Sequence, residues 1–85
     1  MQINMLYFAS VRELLDAGSE TLEVPDGVAT LGGLLAWLKA ESPRHAAMIE
    51  QLPRLRGAVN QEMAGPGAPV KAGDEVALFP PVTGG

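Results

Sequence analysis

The sequence predicts an α+β domain in which a mixed sheet carries a long helix on one face. Two N-terminal stretches alternate apolar and polar residues, as half-buried strands do, and an amphipathic helical stripe follows them. Several short extended segments then occupy the C-terminal third. Two strands, a crossing helix and returning strands favour helices that cover one face of a sheet. The length of 85 residues fits one such domain.

The N-terminal elements are predicted from alternation and from capping residues. A first strand is expected over residues 2–8. Ser10 and Glu13 match a capping box, because the serine hydroxyl can accept from the glutamate amide while the carboxylate reaches back. A short helix should therefore follow Ser10, and Gly18 is its expected stop. A second strand is expected over residues 20–24, where the alternation resumes.

The main helix is predicted over residues 31–40, with Thr30 as its cap. Four leucines at helical spacing form its apolar stripe: Leu31, Leu34, Leu35 and Leu38. Gly32 and Gly33 are unexpected in the first turn, because each glycine costs roughly 1 kcal/mol relative to alanine inside a helix. They either admit a close neighbour or weaken the turn, and the sequence leaves both alternatives open.

The remaining elements are short. Ser42 and Pro43 predict a new helix, since serine caps helices and proline fits their first position. Extended segments are expected over residues 57–60 and 75–79, with a further short one near Met63.

Composition excludes several function classes. The formal net charge is −4 with only six Lys and Arg, so the chain lacks the basic footprint of nucleic-acid binding. It has no cysteine, which excludes a disulfide scaffold, a thiolate metal site and a cysteine nucleophile. No apolar stretch is long enough to span a membrane, and the N-terminal residues do not resemble a signal peptide. These features are consistent with a cytoplasmic protein.

No catalytic constellation is recognisable in the body of the chain. The single histidine, His45, has no Cys or His companion for a metal site and is expected to be exposed or to cap a helix. Ser10 and Ser42 are best explained as helix caps, and neither a G-x-S-x-G motif nor a phosphate-binding loop is present. The C-terminus therefore becomes the candidate for chemistry.

The chain ends in FPPVTGG, which predicts a domain over residues 1–79 and an extended tail over residues 80–85. Pro80 and Pro81 remove two backbone donors and favour an extended path, so the last strand must end there. The tail can reach roughly 20 Å from the domain. Its two-glycine tip lacks Cβ atoms, so it can enter a narrow cleft. The terminal carboxylate needs activation, for example as an acyl-adenylate, and a partner must supply it.

Three segments resemble the small sulfur-carrier subunits of molybdopterin synthase, a family that acts in molybdenum-cofactor biosynthesis. The most specific is GDEVALFPPVTGG at residues 73–85, and LYFASVREL at 6–14 and AVNQ at 58–61 also match. The length fits as well, so the resemblance covers the whole chain. It implies a ubiquitin-like β-grasp fold, which agrees with the α+β order.

The resemblance also implies what the tail does. An E1-like adenylyltransferase would use ATP to activate the Gly85 carboxylate, and a sulfurtransferase would convert it to a thiocarboxylate. The tail would insert into the large synthase subunit, where Gly85 would donate sulfur to cyclic pyranopterin monophosphate and so build the molybdopterin dithiolene. The inserting residues would be Pro80, Pro81, Val82, Thr83 and Gly84.

The same resemblance implies an assembly. Two small and two large subunits would form a heterotetramer. This chain would be the sulfur-donor subunit of a sulfurtransferase, with no active site and no bound cofactor of its own, because the activating partner uses the ATP.

Two residues are candidates for docking to the partner. Phe79 directly precedes the tail, and a large aromatic side chain there is either core or a docking anchor, of which the anchor is preferred. Arg12 lies in the matching Val-Arg-Glu-Leu segment and would pair with an acidic partner, or else is a solvated helix residue.

Three other functions remain open. The chain could be the sulfur carrier of thiamine synthesis, which shares the fold and the Gly-Gly end, although FPPVT before the glycines favours the molybdopterin member. It could be a ubiquitin-like modifier that is joined through Gly85 to lysines of target proteins. The least favoured alternative is a plain interaction domain with an inert tail.

Overall fold

A computed structural model describes residues 1–81 and contains five strands and three helices in that range. The order of elements along the chain is β1 (Gln2–Tyr7), α1 (Ala9–Leu15), β2 (Ser19–Glu23), α2 (Leu31–Glu41), α3 (Pro43–Gln51), β3 (Arg56–Val59), β4 (Glu62–Ala64) and β5 (Glu75–Phe79). The predicted α+β class is confirmed, and the predicted main helix and strands each have a counterpart.

The five strands form one mixed sheet in the order β2-β1-β5-β3-β4. β1 and β5 run parallel at its centre, whereas the other neighbours are antiparallel. Parallel neighbours need a long crossover connection, and here the helices and the other strands supply it. The last described strand therefore lies in the middle of the sheet, between β1 and β3.

The hydrophobic core lies between one face of this sheet and the helices. In β1 the side chains of Ile3, Met5 and Tyr7 are buried, and the residues between them point to the opposite face. The predicted stripe of α2 covers these strands, and its fully buried members are Leu31, Leu34 and Leu38. Alternation in the strands and helical spacing in α2 thus build the core as predicted.

The caps predicted for the two C-terminal helices are confirmed. The Thr30 hydroxyl oxygen accepts from the Gly33 amide at 3.0 Å and opens α2. The Ser42 hydroxyl oxygen accepts from the His45 amide at 3.3 Å, and Pro43 occupies the first position of α3. Each cap satisfies an amide that has no partner inside its helix.

The predicted cap and stop of the first helix are wrong. The α1 helix begins at Ala9, so Ser10 already lies inside it, and no side chain caps Phe8 at its start. Pairing with β5 extends as far as Phe8, whose amide donates to the Leu78 carbonyl oxygen at 3.1 Å. The chain turns directly after this bond, where Ala9 adopts a φ of 51°. At the other end Asp16, not Gly18, takes the left-handed conformation with a φ of 53°.

The structure explains the first glycine of α2. The Gly32 amide donates to the Pro66 carbonyl oxygen at 2.8 Å, so the loop before β5 packs directly on the first turn. A Cβ atom at Gly32 would lie 3.0 Å from that oxygen and 3.2 Å from the Pro66 Cβ. Gly32 therefore admits a close neighbour, which was one of the two alternatives.

None of the helices within residues 1–81 has the length and hydropathy that crossing a membrane would require.

Candidate functional site

The predicted tail begins where β5 ends. Phe79 is the last residue of the strand, and Pro80 and Pro81 follow it outside the sheet. The remaining tail residues, Val82, Thr83, Gly84 and Gly85, lie outside the described residues, so their predicted roles stay predictions. The site is therefore built from the root of the tail and from the sheet surface beside it.

The face of Phe79 follows from its neighbours in β5. Val76 and Leu78 are fully buried against the helices, so Ala77 and Phe79 point to the opposite, outer face of the sheet. Phe79 is half-buried and is not part of the hydrophobic core cluster. This position is the one that a docking anchor requires.

Strand register brings other apolar side chains to the same outer face. One row runs across four strands, because Leu6 pairs with Ala77, Ala77 pairs with Ala58, and Ala58 pairs with Met63. Phe79 lies in the next row towards the tail. The two alanines have the smallest side chains of this row and lie between Leu6 and Met63.

Phe8 completes this second row. It directly follows the buried Tyr7 and continues the register of β1 opposite Phe79. Its side chain is 50% exposed, and that of Met63 is 67% exposed. We call the whole set the outer apolar patch: Leu6, Phe8, Ala58, Met63, Ala77 and Phe79. Phe8 and Met63 are its exposed members, whereas Ala58 is buried beneath its neighbours. Exposed apolar clusters of this kind mark interaction sites.

The opposite end of the same face is polar. Thr21, Asn4 and Glu75 form the row beyond Leu6 and Ala77. The Thr21 hydroxyl donates to the Asn4 side-chain oxygen at 3.2 Å. The apolar part of the face is thus confined to the half from which the tail leaves.

Sequence reasoning selected Phe79 but missed Phe8 and Met63. The alternation of β1 could have revealed Phe8. Ile3, Met5 and Tyr7 point inward, so the residue that follows Tyr7 is expected to point outward. Met63 could not be found in this way, since its face is set by the pairing of the three-residue strand β4 with β3.

Arg12 lies apart from the outer apolar patch. It is exposed on α1, and its guanidinium packs over the backbone of Gly18, where an added Cβ would lie 3.2 Å from Cζ. The shallow cavity around it contains no member of the patch: it is lined by Ala9, Arg12, Glu13, Asp16, Ala17 and Gly18. The structure therefore does not bring Arg12 and Phe79 together in one surface.

A partly buried polar cluster lies on the inner face, next to the root of the tail. The Tyr7 hydroxyl donates to Glu20 Oε2 at 2.5 Å, and His45 Nε2 lies 3.0 Å from the same oxygen. Arg44 Nη2 forms an ion pair with the carboxylate at 3.1 Å, and the Ser42 hydroxyl is 2.7 Å from His45 Nδ1. Tyr7 itself pairs with Leu78, one residue before the end of β5.

The position of His45 corrects the prediction of an exposed or capping histidine, since Ser42 and not His45 caps α3. Only 3% of the residue is exposed, because it lies on the inward side of the first turn of α3. Its partners Tyr7 and Glu20 are distant in sequence, so local pattern gave no sign of them.

The cluster shifts two pKa values in opposite directions. Burial pushes the pKa of Glu20 up, but hydrogen bonds from Tyr7 and His45 and the charge of Arg44 outweigh it and hold the pKa below its ordinary value. Burial, together with the hydrogen bond to Glu20, raises the pKa of the Tyr7 phenol far above its ordinary range. Tyr7 is therefore a neutral donor and Glu20 a charged acceptor near neutral pH.

The cluster connects elements of the fold. Arg44 Nη1 also donates to the Leu15 carbonyl oxygen at 2.8 Å, so α3 holds the end of α1 as well as the start of β2. Among the described residues no group of three or more His, Cys, Asp or Glu is arranged to hold a metal ion. The arrangement supports the sheet end from which the tail leaves.

Comparison with known proteins identifies related chains. Residues 5–85 match the ThiS family. The chain is 43% identical over 83 residues to the molybdopterin synthase sulfur carrier subunit of Escherichia coli, which covers 98% of this chain and 99% of that one. It is 40% identical over 87 residues to the protein of the same name from Chlamydomonas reinhardtii, with 100% of both chains covered.

A solved structure shares the fold. The crystal structure of SAMP1, the small archaeal modifier protein 1 of Haloferax volcanii, has a TM-score of 0.77 and 31% identity, and the match covers 100% of both chains. The expected ubiquitin-like β-grasp fold is therefore confirmed.

The polar cluster generates a prediction about stability. Because the Glu20 pKa is lower in the folded than in the unfolded chain, its stabilisation is present above the unfolded pKa and is lost as pH falls through the folded pKa. Glu20→Gln should lower the free energy of unfolding by about 1–2 kcal/mol near neutral pH. Urea unfolding measured from neutral to acidic pH should show this deficit shrinking as pH falls below the ordinary pKa of a glutamate and through the lowered pKa of Glu20.

Glu50→Gln, at an exposed position of α3, is the control and should change little at any pH. A Glu20→Gln deficit of the same size at neutral and acidic pH would contradict the account of the cluster.

Proposed function

The chain belongs to the ThiS family, and we propose that it is the sulfur carrier subunit of molybdopterin synthase. The observation that carries the proposal is its 43% identity to the Escherichia coli subunit of that name, over almost the full length of both chains. The terminal Gly84 and Gly85, preceded by two prolines, support the same function.

The proposed chemistry takes place at Gly85. An E1-like partner transfers AMP from ATP to the carboxylate, releasing pyrophosphate, and the resulting mixed anhydride is a good electrophile. A sulfurtransferase then delivers a sulfide-level nucleophile, whose C–S bond forms as the C–O bond to AMP breaks, and a thiocarboxylate remains. The absence of cysteine supports this route, because the chain has no thiol on which sulfur could be carried.

The thiocarboxylate is the sulfur donor in the next step. Its sulfur attacks an oxygen-bearing carbon of cyclic pyranopterin monophosphate in the large subunit, so that a C–S bond replaces a C–O bond and the oxygen leaves. Water then hydrolyses the acyl–sulfur bond, which leaves the sulfur on the substrate and returns Gly85 to a carboxylate. This chain supplies the sulfur and the orientation, and the large subunit supplies substrate binding and acid–base groups. ATP is used by the activating partner in the cytoplasm, and this chain binds no cofactor.

The outer apolar patch is the proposed docking face for the large subunit. Four residues beyond Pro81 span at most about 14 Å, so a subunit that receives Gly85 must lie close to the tail root. Phe8, Met63 and Phe79 are the large apolar side chains at or near that root that a partner would cover. In the proposed assembly, two small and two large subunits form a heterotetramer.

A second candidate function is protein modification. The similarity to the small archaeal modifier protein 1 of Haloferax volcanii favours it, at 39% identity over 84 residues. In that case the activated Gly85 would be attacked by a lysine amine of a target instead of by a sulfur donor. Extracts supplied with ATP and the tagged chain distinguish the two, because only a modifier accumulates in covalent conjugates of higher mass.

The thiamine-pathway carrier is the remaining alternative within the family. It is distinguished by the large subunit that co-purifies with the chain.

The proposed chemistry generates a prediction about the tail. Incubation with the cognate activating enzyme, ATP and a sulfur donor should replace one oxygen of Gly85 by sulfur, which intact-protein mass spectrometry and fragmentation detect. A chain lacking Gly84 and Gly85 should remain unchanged. If the full-length chain also stays unmodified while the enzyme modifies another carrier, the proposal is wrong.

The proposed docking face generates a further prediction. Ala77→Arg places a long charged side chain in the middle of the outer apolar patch and should weaken binding to the large subunit at least about tenfold, because docking would bury the charge. Thr21→Arg, on the polar half of the same face, is the matched control and should bind like the wild type. Calorimetry measures both, after circular dichroism has established that both variants fold. Equal affinities of the two variants would exclude the patch as the docking face.

A further inference from the structure

A cation lies at the tail end of the outer apolar patch. Arg56 is the first residue of β3 and pairs with Phe79 of β5. Its side chain points outward, because the next residue, Gly57, faces the core, where an added Cβ would lie 2.8 Å from Leu31 Cδ2. Directly opposed side chains on one sheet face have Cβ atoms about 5 Å apart. Arg56 and Phe79 are therefore neighbours on the docking face.

No carboxylate within residues 1–81 forms an ion pair with Arg56. The ion pairs in that range join the N-terminus to Glu23 and Asp26, and Glu20 to Arg44 and His45. The carboxylate that β5 contributes to the outer face belongs to Glu75, four residues from Phe79. At the rise of a strand this separation is about 13 Å, too far for an ion pair. A positive charge thus stands on a chain whose net charge is −4.

Docking would cover this charge. The partner that receives Gly85 lies within about 14 Å of Pro81, and so it covers Phe79 and the neighbouring Arg56. A guanidinium that loses water without gaining an acceptor destabilises a complex by several kcal/mol. Because no carboxylate within residues 1–81 pairs with Arg56, a carboxylate that neutralises it in the complex would come from the partner. A carboxylate fits best, since it can accept two parallel hydrogen bonds from one guanidinium.

We propose that Arg56 is a specificity-determining residue of the docking face and binds a carboxylate of the large subunit. This inference rests on the proposed function. The partner surface is accordingly an apolar area bordered by Asp or Glu beside the opening that receives the tail. The apolar patch supplies contact area, whereas the ion pair selects the partner and sets its register. Part of the association rate also depends on this attraction, so it falls as salt screens it.

Charge reversal with a matched control tests the inference. Arg56→Glu and Arg54→Glu change the net charge equally, but Arg54 lies in the turn before β3, outside the paired strands. Surface plasmon resonance with the cognate large subunit should give about 30-fold or weaker affinity for Arg56→Glu, against less than about threefold for Arg54→Glu. Raising the salt concentration should weaken the wild type more than Arg56→Glu.

The Arg56→Lys variant gives a second, structural readout. It keeps the charge, so it should still bind, and a carbodiimide should join the new amine at position 56 to an Asp or Glu of the large subunit. Mass spectrometry of the digested complex identifies that bond. The inference is overturned if Arg56→Glu binds as tightly as Arg54→Glu, or if position 56 forms no cross-link in a complex that does assemble.

Failure of the inference is distinguishable from failure of the proposed function. If the wild type forms its thiocarboxylate and binds the large subunit while the Arg56 variants behave like it, only the role of Arg56 is wrong. If the wild type does not bind the large subunit at all, both the proposed function and the inference are wrong.

Discussion

The parallel pairing of β1 with β5 is the contact on which the rest of the structure depends. It joins the first and last strands of the described chain at the centre of the sheet, with Tyr7 opposite Leu78. Both side chains are buried, so the residues that follow them, Phe8 and Phe79, face outward. This one register therefore places Tyr7 and Leu78 in the core and Phe8 and Phe79 on the outer face. It also places the end of β5, where the tail begins, in the middle of the sheet.

The two faces of the sheet have separate tasks. The inner face carries the tightly packed core and a polar cluster in which Tyr7 and His45 share the Glu20 carboxylate. No buried side-chain nitrogen or oxygen among the described residues lacks a hydrogen-bond partner. In the outer apolar patch Phe8 and Met63 are exposed, so they are available for binding.

Local chemistry explains which features were predictable from the sequence. Thr30 and Ser42 cap their helices as predicted, because a cap depends only on residues within one turn. The same reasoning failed at Ser10, since the pairing of β1 with β5 decides where the chain turns into α1. The burial of His45 and the outward position of Met63 also depend on contacts between distant segments. The roles of the tail residues came from chemistry and resemblance, and they remain predictions.

The most direct test of the account is a single turnover of sulfur transfer. The thiocarboxylated chain would be mixed with the large subunit and cyclic pyranopterin monophosphate, and the mass of its C-terminus followed together with the dithiolene formed. The account predicts that Gly85 returns to a carboxylate as product appears, two chains being consumed for each dithiolene. A thiocarboxylate that stays intact beside a large subunit that is active with another carrier would contradict the account.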